Sequence, residues 1–337
     1  MRRESDGPLA TVVAALRPAP YTAPRWLPGP HVQTIYPALL RKPVLAYRRE
    51  IWETPDGDRV ATDWIDGTPG APLAVLFHGL EGSSRSHYAI ALMQAVAARG
   101  WHGVVYHYRG CGGLQNRLPR AYHSGDTAEL DWVLPRLKSR CADAPLHAVG
   151  VSLGGNVLLK WLGERGDAAN PIVSGAAAVS TPMDLMASGA ALERGANRIY
   201  ARVFLDSLRP KVLAMLERHP GLCDRRRIER ARTLREFDDA FTAPVHGFRD
   251  TDDYWTQASS KPWLPRITVP TLVLNARNDP FLPESALASA REVSSHVALE
   301  YPPEGGHVGF CTVPWPGRIE WLPRRVLGHF GNIAAAR

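Results

Sequence analysis

The chain has 337 residues, 45% of them hydrophobic and 22% charged, with a formal net charge of +7. That composition excludes a disordered or fibrous chain, and no repeat or heptad run points to a solenoid or a coiled coil. No apolar stretch approaches the roughly 20 residues that cross a bilayer.

The first segment, MRRESDGPLATVVAALRPAP, starts basic and carries a short apolar run from Leu9 to Leu16. Glu4 and Asp6 break up the segment and no small-residue cleavage site follows, so it reads as a surface helix rather than a signal peptide. Residues 1–42 are expected to form an N-terminal extension. Eight apolar, β-branched runs come next, starting at Val44, Arg59, Pro72, Trp101, Leu146, Ile172, Pro270 and His296. The first two alternate polar and apolar residues, as half-exposed antiparallel strands do. The later ones are nearly continuous, as strands covered on both faces are. Helical patterns lie at about 86–99, 124–137, 153–165, 284–293 and 318–330. Strand–helix alternation predicts a mostly parallel eight-stranded sheet with helices on both faces.

One interval breaks this rhythm. Residues 181–267 read as helices and loops, with apolar positions at Ile199, Val203, Phe204, Leu208, Leu213 and Leu216 and a break expected near Pro210. An insertion of that length is too long for a connection. It predicts a helical cap inserted before the last two strands, leaving 43–180 and 268–337 as the core.

The run LHAVGVSLGGN (Leu146–Asn156) places a serine between glycines where a strand feeds a helix. G-x-S-x-G in that context is a nucleophile elbow: Gly150 and Gly154 permit close strand–helix approach, and Ser152 is presented above the sheet edge. A serine hydroxyl needs a base, and the base needs an orienting acid. In the chain order the elbow implies, Asp279 follows the run TLVLNAR and His307 follows ALEYPPEGG. Glu284 is a local rival for the acid but reads as the first turn of a helix; Asp252 and Asp253 fall in the cap. His107 and His147 are expected to pack in or beside strands. The oxyanion donors are expected to be the backbone N–H of Leu153, after the nucleophile, and that of Leu80, after His78-Gly79. His78 is expected to brace that loop through its ring rather than act as a base.

These motifs together resemble a known family. FHGLEGS (77–83), YRGCGG with NR (108–113 and 116–117), YHSGDT (122–127), GVSLGGN (150–156), REFDD (235–239), NDPF (278–281), GGHVGF (305–310) and GPHVQTIYP (29–37) are similar to the YheT-like branch of the α/β-hydrolases. The resemblance covers about residues 20–330. It implies an α/β-hydrolase fold and an esterase or lipase-type serine hydrolase with a Ser-Asp-His triad and no organic cofactor. It leaves the natural ester open, whether a small molecule or a lipid. The same triad also serves acyl transfer to an alcohol, and some relatives of this fold are inactive binding proteins. A haloalkane dehalogenase would carry aspartate at the elbow, where this chain has Ser152.

The four cysteines are scattered, with no C-x-x-C and no His/Cys/Asp cluster at ligand spacing. This predicts reduced thiols in a cytoplasmic protein and no metal site. Between Arg194 and Arg235 stand twelve Lys/Arg against four acids, a surplus of eight against +7 for the whole chain, so the remainder is close to neutral. No nucleic-acid motif accompanies this charge, so no nucleic-acid partner is expected. A basic cap instead suggests peripheral contact with an anionic membrane, densest at DRRRIERAR (224–232).

Overall fold

All eight apolar runs form strands in the computed structural model, which describes residues 19–40, 43–141 and 143–335. The expected surface helix around Leu9–Leu16 lies outside the described residues. The strands are β1 (Arg48–Glu53), β2 (Arg59–Ile65), β3 (Leu73–Phe77), β4 (His102–Tyr106), β5 (Leu146–Val151), β6 (Gly175–Val179), β7 (Thr271–Leu274) and β8 (Val297–Glu300). Their order is β1-β2-β4-β3-β5-β6-β7-β8, antiparallel across β1–β2 and β2–β4 and parallel from there on.

The helices named here are α1 (Pro30–Leu39), α2 (His87–Ala97), α3 (Thr127–Arg140), α4 (Leu153–Arg165), α5 (Leu185–Leu192), α6 (Arg198–Arg218), α7 (Arg225–Arg230), α8 (Thr251–Ala258) and α9 (Trp321–Ala335). Side chains alternate across a strand, so the continuous runs feed two cores. On one face Val75, Phe77 and Val104 pack with Leu130 and Leu134 of α3 and with Trp161 of α4. On the other, Ala74, Leu76 and Val105 meet Leu92 and Met93 of α2 and Phe330 of α9. Each fully buried Val, Leu, Phe or Met side chain among them contributes about 1.5–3 kcal/mol. The cap has a core of its own, built from Leu205, Val212 and Met215 of α6 with Ile228, Phe237 and Phe241.

Three expectations are corrected. The segment 284–293 is not an α-helix; it forms two short 3-10 turns, Glu284–Ala286 and Ala290–Glu292. Ala286, Leu287 and Ala288 are buried in succession, which a helix lying on a surface does not do. Outside groups hold the backbone instead: Lys261 Nζ donates to the carbonyls of Ser285 and Leu287, and Tyr301 Oη donates to that of Ala288.

Secondly, Pro210 does not break the cap helix. α6 runs through it for 21 residues. Leu205 before it and Val212 and Met215 after it sink into the same cap core, so tertiary packing outweighs the lost hydrogen bond. Ile199 and Val203 are exposed rather than part of a buried face. Thirdly, β2 is buried nearly throughout rather than half-exposed. Its polar residue Asp63 is consumed internally, accepting from Arg49, from Ser84 Oγ at 2.6 Å and from His107 Nε2 at 2.9 Å.

Candidate active site

β3, β5, β6, β7 and β8 all end at one edge of the sheet, where parallel α/β proteins place their ligands. Ser152 follows β5 immediately and precedes α4, at φ 54° and ψ −121°. A non-glycine residue held there stores strain of order 1–3 kcal/mol. The flanking glycines explain how it is held. A Cβ on Gly150 would lie 2.5 Å from the Gly154 carbonyl oxygen, and one on Gly154 would lie 2.3 Å from that of Phe77. β5, α4 and β3 thus approach more closely than any side chain permits. The Ser152 N–H, donated to Val179 O at 2.8 Å, pins the turn to β6.

The structure brings Ser152, His307 and Asp279 together from three loops. His307 Nε2 lies 3.0 Å from Ser152 Oγ, and His307 Nδ1 lies 2.8 Å from Asp279 Oδ2. With Asp279 as a carboxylate, Nδ1–H donates to it and Nε2 is left to accept the serine proton. Asp279 is buried, and its other oxygen accepts from Phe281 N at 2.9 Å. The Phe281 ring covers the imidazole at 4.1 Å between centroids. Glu284, Asp252 and Asp253 pair instead with Arg277, Arg235 and Arg249.

The loop after β3 lies against the serine. A Cβ on Gly79 would stand 3.0 Å from Ser152 Cβ. His78 is fully buried, and desolvation pushes its pKa down to about 3, so the ring is neutral. Its Nε2 accepts from Tyr108 N at 3.4 Å, which leaves the proton on Nδ1, 2.8 Å from Gly79 O. Because a trans peptide points its C=O and N–H in opposite directions, holding the Gly79 carbonyl also aims the Leu80 N–H. Within the described residues, neither the Leu80 nor the Leu153 N–H donates to another protein group. His107, just after β4, and His147, in β5, are both buried; His107 packs 5.7 Å from the His78 ring and donates to Asp63, and His147 stacks on Phe330.

Between the sheet edge and the cap lies a cavity of about 150 Å³ with Ser152 and His307 in its wall. Its lining is mostly apolar, with Leu185 of α5, Phe204, Leu208 and Met215 of α6, and Tyr254 and Trp255 of α8. Asp238, also in the wall, is half-buried, and desolvation raises its pKa to about 6. It accepts from Thr242 Oγ1 at 2.6 Å and from Trp255 Nε1 at 2.9 Å. Among the described residues, no three His, Cys, Asp or Glu side chains converge as a metal site would require. No helix among them is long and apolar enough to cross a membrane.

Sequence reasoning missed several supports. Ser180, at φ 49° after β6, accepts from Val308 N at 3.0 Å and so holds the histidine loop. Its signal was a small polar residue at the carboxyl end of a parallel strand. Gln33 and Thr34 also reach this site, from the stretch GPHVQTIYP, which carries the resemblance but revealed no chemistry by itself.

Residues 72–313 match the family model described as alpha/beta hydrolase fold. The chain is 39% identical over 303 residues to "Putative esterase YheT" of Escherichia coli (strain K12), covering 88% of each chain. It is 32% identical over 298 residues to "Phospholipase ABHD3" of Mus musculus, covering 86% of this chain and 72% of that one. It is 27% identical over 271 residues to "Monoacylglycerol lipase" of Saccharomyces cerevisiae, covering 78% of this chain and 59% of that one. Among solved structures, "Ferulic Acid bound to Est1E from Butyrivibrio proteoclasticus" is similar in fold, with a TM-score of 0.55 and 15% identity over 86% of this chain and 100% of that one.

Proposed function

This chain belongs to the α/β-hydrolases, as an ester hydrolase of the esterase and lipase kind, and from that premise we propose that it cleaves carboxylic esters by acyl transfer through Ser152, His307 and Asp279. The observation that carries the proposal is the single imidazole joining Ser152 Oγ at 3.0 Å to Asp279 Oδ2 at 2.8 Å. His307 Nε2 takes the proton as Ser152 Oγ attacks the ester carbonyl. The N–H groups of Leu80 and Leu153 stabilise the oxyanion, a contribution of about 3–4 kcal/mol per donor. The protonated imidazole then gives its proton to the leaving alcohol as the C–O bond breaks. Water, deprotonated by the same nitrogen, releases the acid and restores Ser152. Asp279 holds the tautomer and stabilises the imidazolium.

The apolar cavity supports an ester with a short or medium acyl chain or a lipid-like acyl group. Relatives named as phospholipase and monoacylglycerol lipase support the same substrate class. The proposal includes a cap whose exposed Arg225, Arg226 and Arg227 meet anionic lipid.

The test is a panel of p-nitrophenyl esters of increasing acyl length, with a fluorophosphonate probe. Wild type is expected to turn over at least part of the panel and to be labelled at Ser152. Ser152→Ala and His307→Ala abolish turnover in folded protein, and Asp279→Asn lowers kcat by about 10⁴-fold, as loss of the tautomer does elsewhere. Full hydrolysis by Ser152→Ala would overturn the assignment.

A further inference from the structure

α1 lies against the two loops that carry Asp279 and His307. Gln33 in α1 is buried, with a relative exposure of 1%. Its Oε1 accepts from Asn278 Nδ2 at 2.9 Å and from Gly305 N at 2.9 Å. Its Nε2 donates to Leu27 O at 3.0 Å and to Glu304 Oε1 at 3.0 Å. One carboxamide therefore uses both acceptor positions and both donors. Asn278 immediately precedes Asp279, and Gly305 stands two residues before His307. Asn278 Oδ1 closes the arrangement by accepting from Gly306 N at 3.0 Å.

The next residue reaches the histidine itself. Thr34 Oγ1 accepts from His307 N at 2.9 Å and donates to Pro30 O at 2.7 Å. The backbone is fitted to this contact. A Cβ on Gly306 would lie 2.7 Å from Thr34 N, and one on Gly309 would lie 2.0 Å from Gln33 O. The glycines flanking His307 are thus required by the approach of α1, not only by the turn of their own loop.

We propose that Gln33 and Thr34 are positioning residues: Gln33 fixes the acid loop relative to the base loop, and Thr34 fixes the backbone of His307. The proposal rests on the reading of Ser152, His307 and Asp279 as the reacting groups. Buried amide donors left without Gln33 Oε1 or Thr34 Oγ1 would seek other partners, and the two loops would drift apart. Misplacement by about 1 Å is enough to cost about 100-fold in rate.

The test uses the full chain with a soluble p-nitrophenyl ester that wild type turns over, fluorophosphonate labelling kinetics, and thermal melts. Thr34→Val keeps the shape and removes the oxygen. It is expected to lower kcat and the labelling rate about tenfold while KM stays within about twofold, with the protein still folded at assay temperature. Thr34→Ser restores the oxygen and recovers most of that loss. Gln33→Leu is expected to lower kcat by about 100-fold; if it does not fold, the Thr34 pair decides. The proposal is overturned if Thr34→Val retains wild-type kcat, if Thr34→Ser is as impaired as Thr34→Val, or if the loss of rate only follows the loss of folded protein. Ser152→Ala is assayed alongside. If it is active, the triad reading has failed; if it is inactive and Thr34→Val is unaffected, only the positioning role has.

Discussion

Lys211 Nζ lies 2.7 Å from Glu81 Oε2, joining cap helix α6 to the loop that carries Leu80. Glu81 holds a positive φ of 57°, and Tyr122 Oη also donates to its carboxylate at 2.9 Å. The lysine is well exposed, so its charge pairing alone is weak. The carboxylate, however, is buried and needs its donors. Lys211→Met is expected to cost about 1 kcal/mol of stability, with a coupling of about 0.5–1.5 kcal/mol to Glu81→Gln in a double-mutant cycle by urea unfolding. Simple additivity of the two changes would mean that cap and loop are not linked through this pair.

Asp238 supplies a pH dependence with a definite sign. Burial raises its folded pKa to about 6 from an ordinary value of 3.8, so the folded state binds this proton more tightly than the unfolded chain does. Its contribution to stability is therefore greatest below the ordinary Asp range and declines as pH rises through about 6. The full difference is worth on the order of 3 kcal/mol. Asp238→Asn should remove that decline. Relative to wild type it gains melting temperature at pH 7.5 and loses the advantage at pH 4. Parallel pH profiles for the two proteins would refute this account.

Thiols and metals should be dispensable. Burial pushes the Cys111 thiol up to about 12, and Cys311 is buried as well. A thiol, unlike a thiolate, is a poor nucleophile toward alkylating reagents. Iodoacetamide at neutral pH and EDTA are each expected to leave ester turnover unchanged. Inactivation by EDTA with recovery on adding a divalent ion would contradict the serine mechanism as written.

The charged cap predicts salt-sensitive lipid binding. Each basic residue at an anionic surface contributes about 1 kcal/mol at low ionic strength, and salt screens it. Arg225, Arg226 and Arg227 lie exposed at the start of α7. Replacing all three with Gln should weaken sedimentation with phosphatidylserine vesicles but not turnover of a small soluble ester. Equal binding of wild type to neutral and anionic vesicles at low salt would remove the lipid-facing role.

The strands and the elbow were legible because their signals are local. Val151, Ser152 and Leu153 are adjacent, and the glycines that make the turn stand within two residues of the serine. Long-range contacts were not. Pro210 reads as a break until the shared burial of Leu205 and Val212 is known. The segment 284–293 reads as a helix because nothing local reveals that Lys261 and Tyr301 will hold its carbonyls. Asp279 and His307 could be placed by chain order after their strands. The roles of Gln33 and Thr34 depend on pairing with residues 245 to 273 positions away, and no period or spacing encodes that.

The distance in sequence from Thr34 to His307 also bears on how the protein acquires its activity. The two are joined by one hydrogen bond across 273 residues. Closing a flexible loop of that size costs about 5 kcal/mol in chain entropy, which must be met before the contact returns anything. Local helices form much faster than contacts of this range. A chain diluted out of denaturant should therefore regain its far-ultraviolet circular dichroism before it regains ester turnover, and the interval between the two measures how late the ends of the molecule meet.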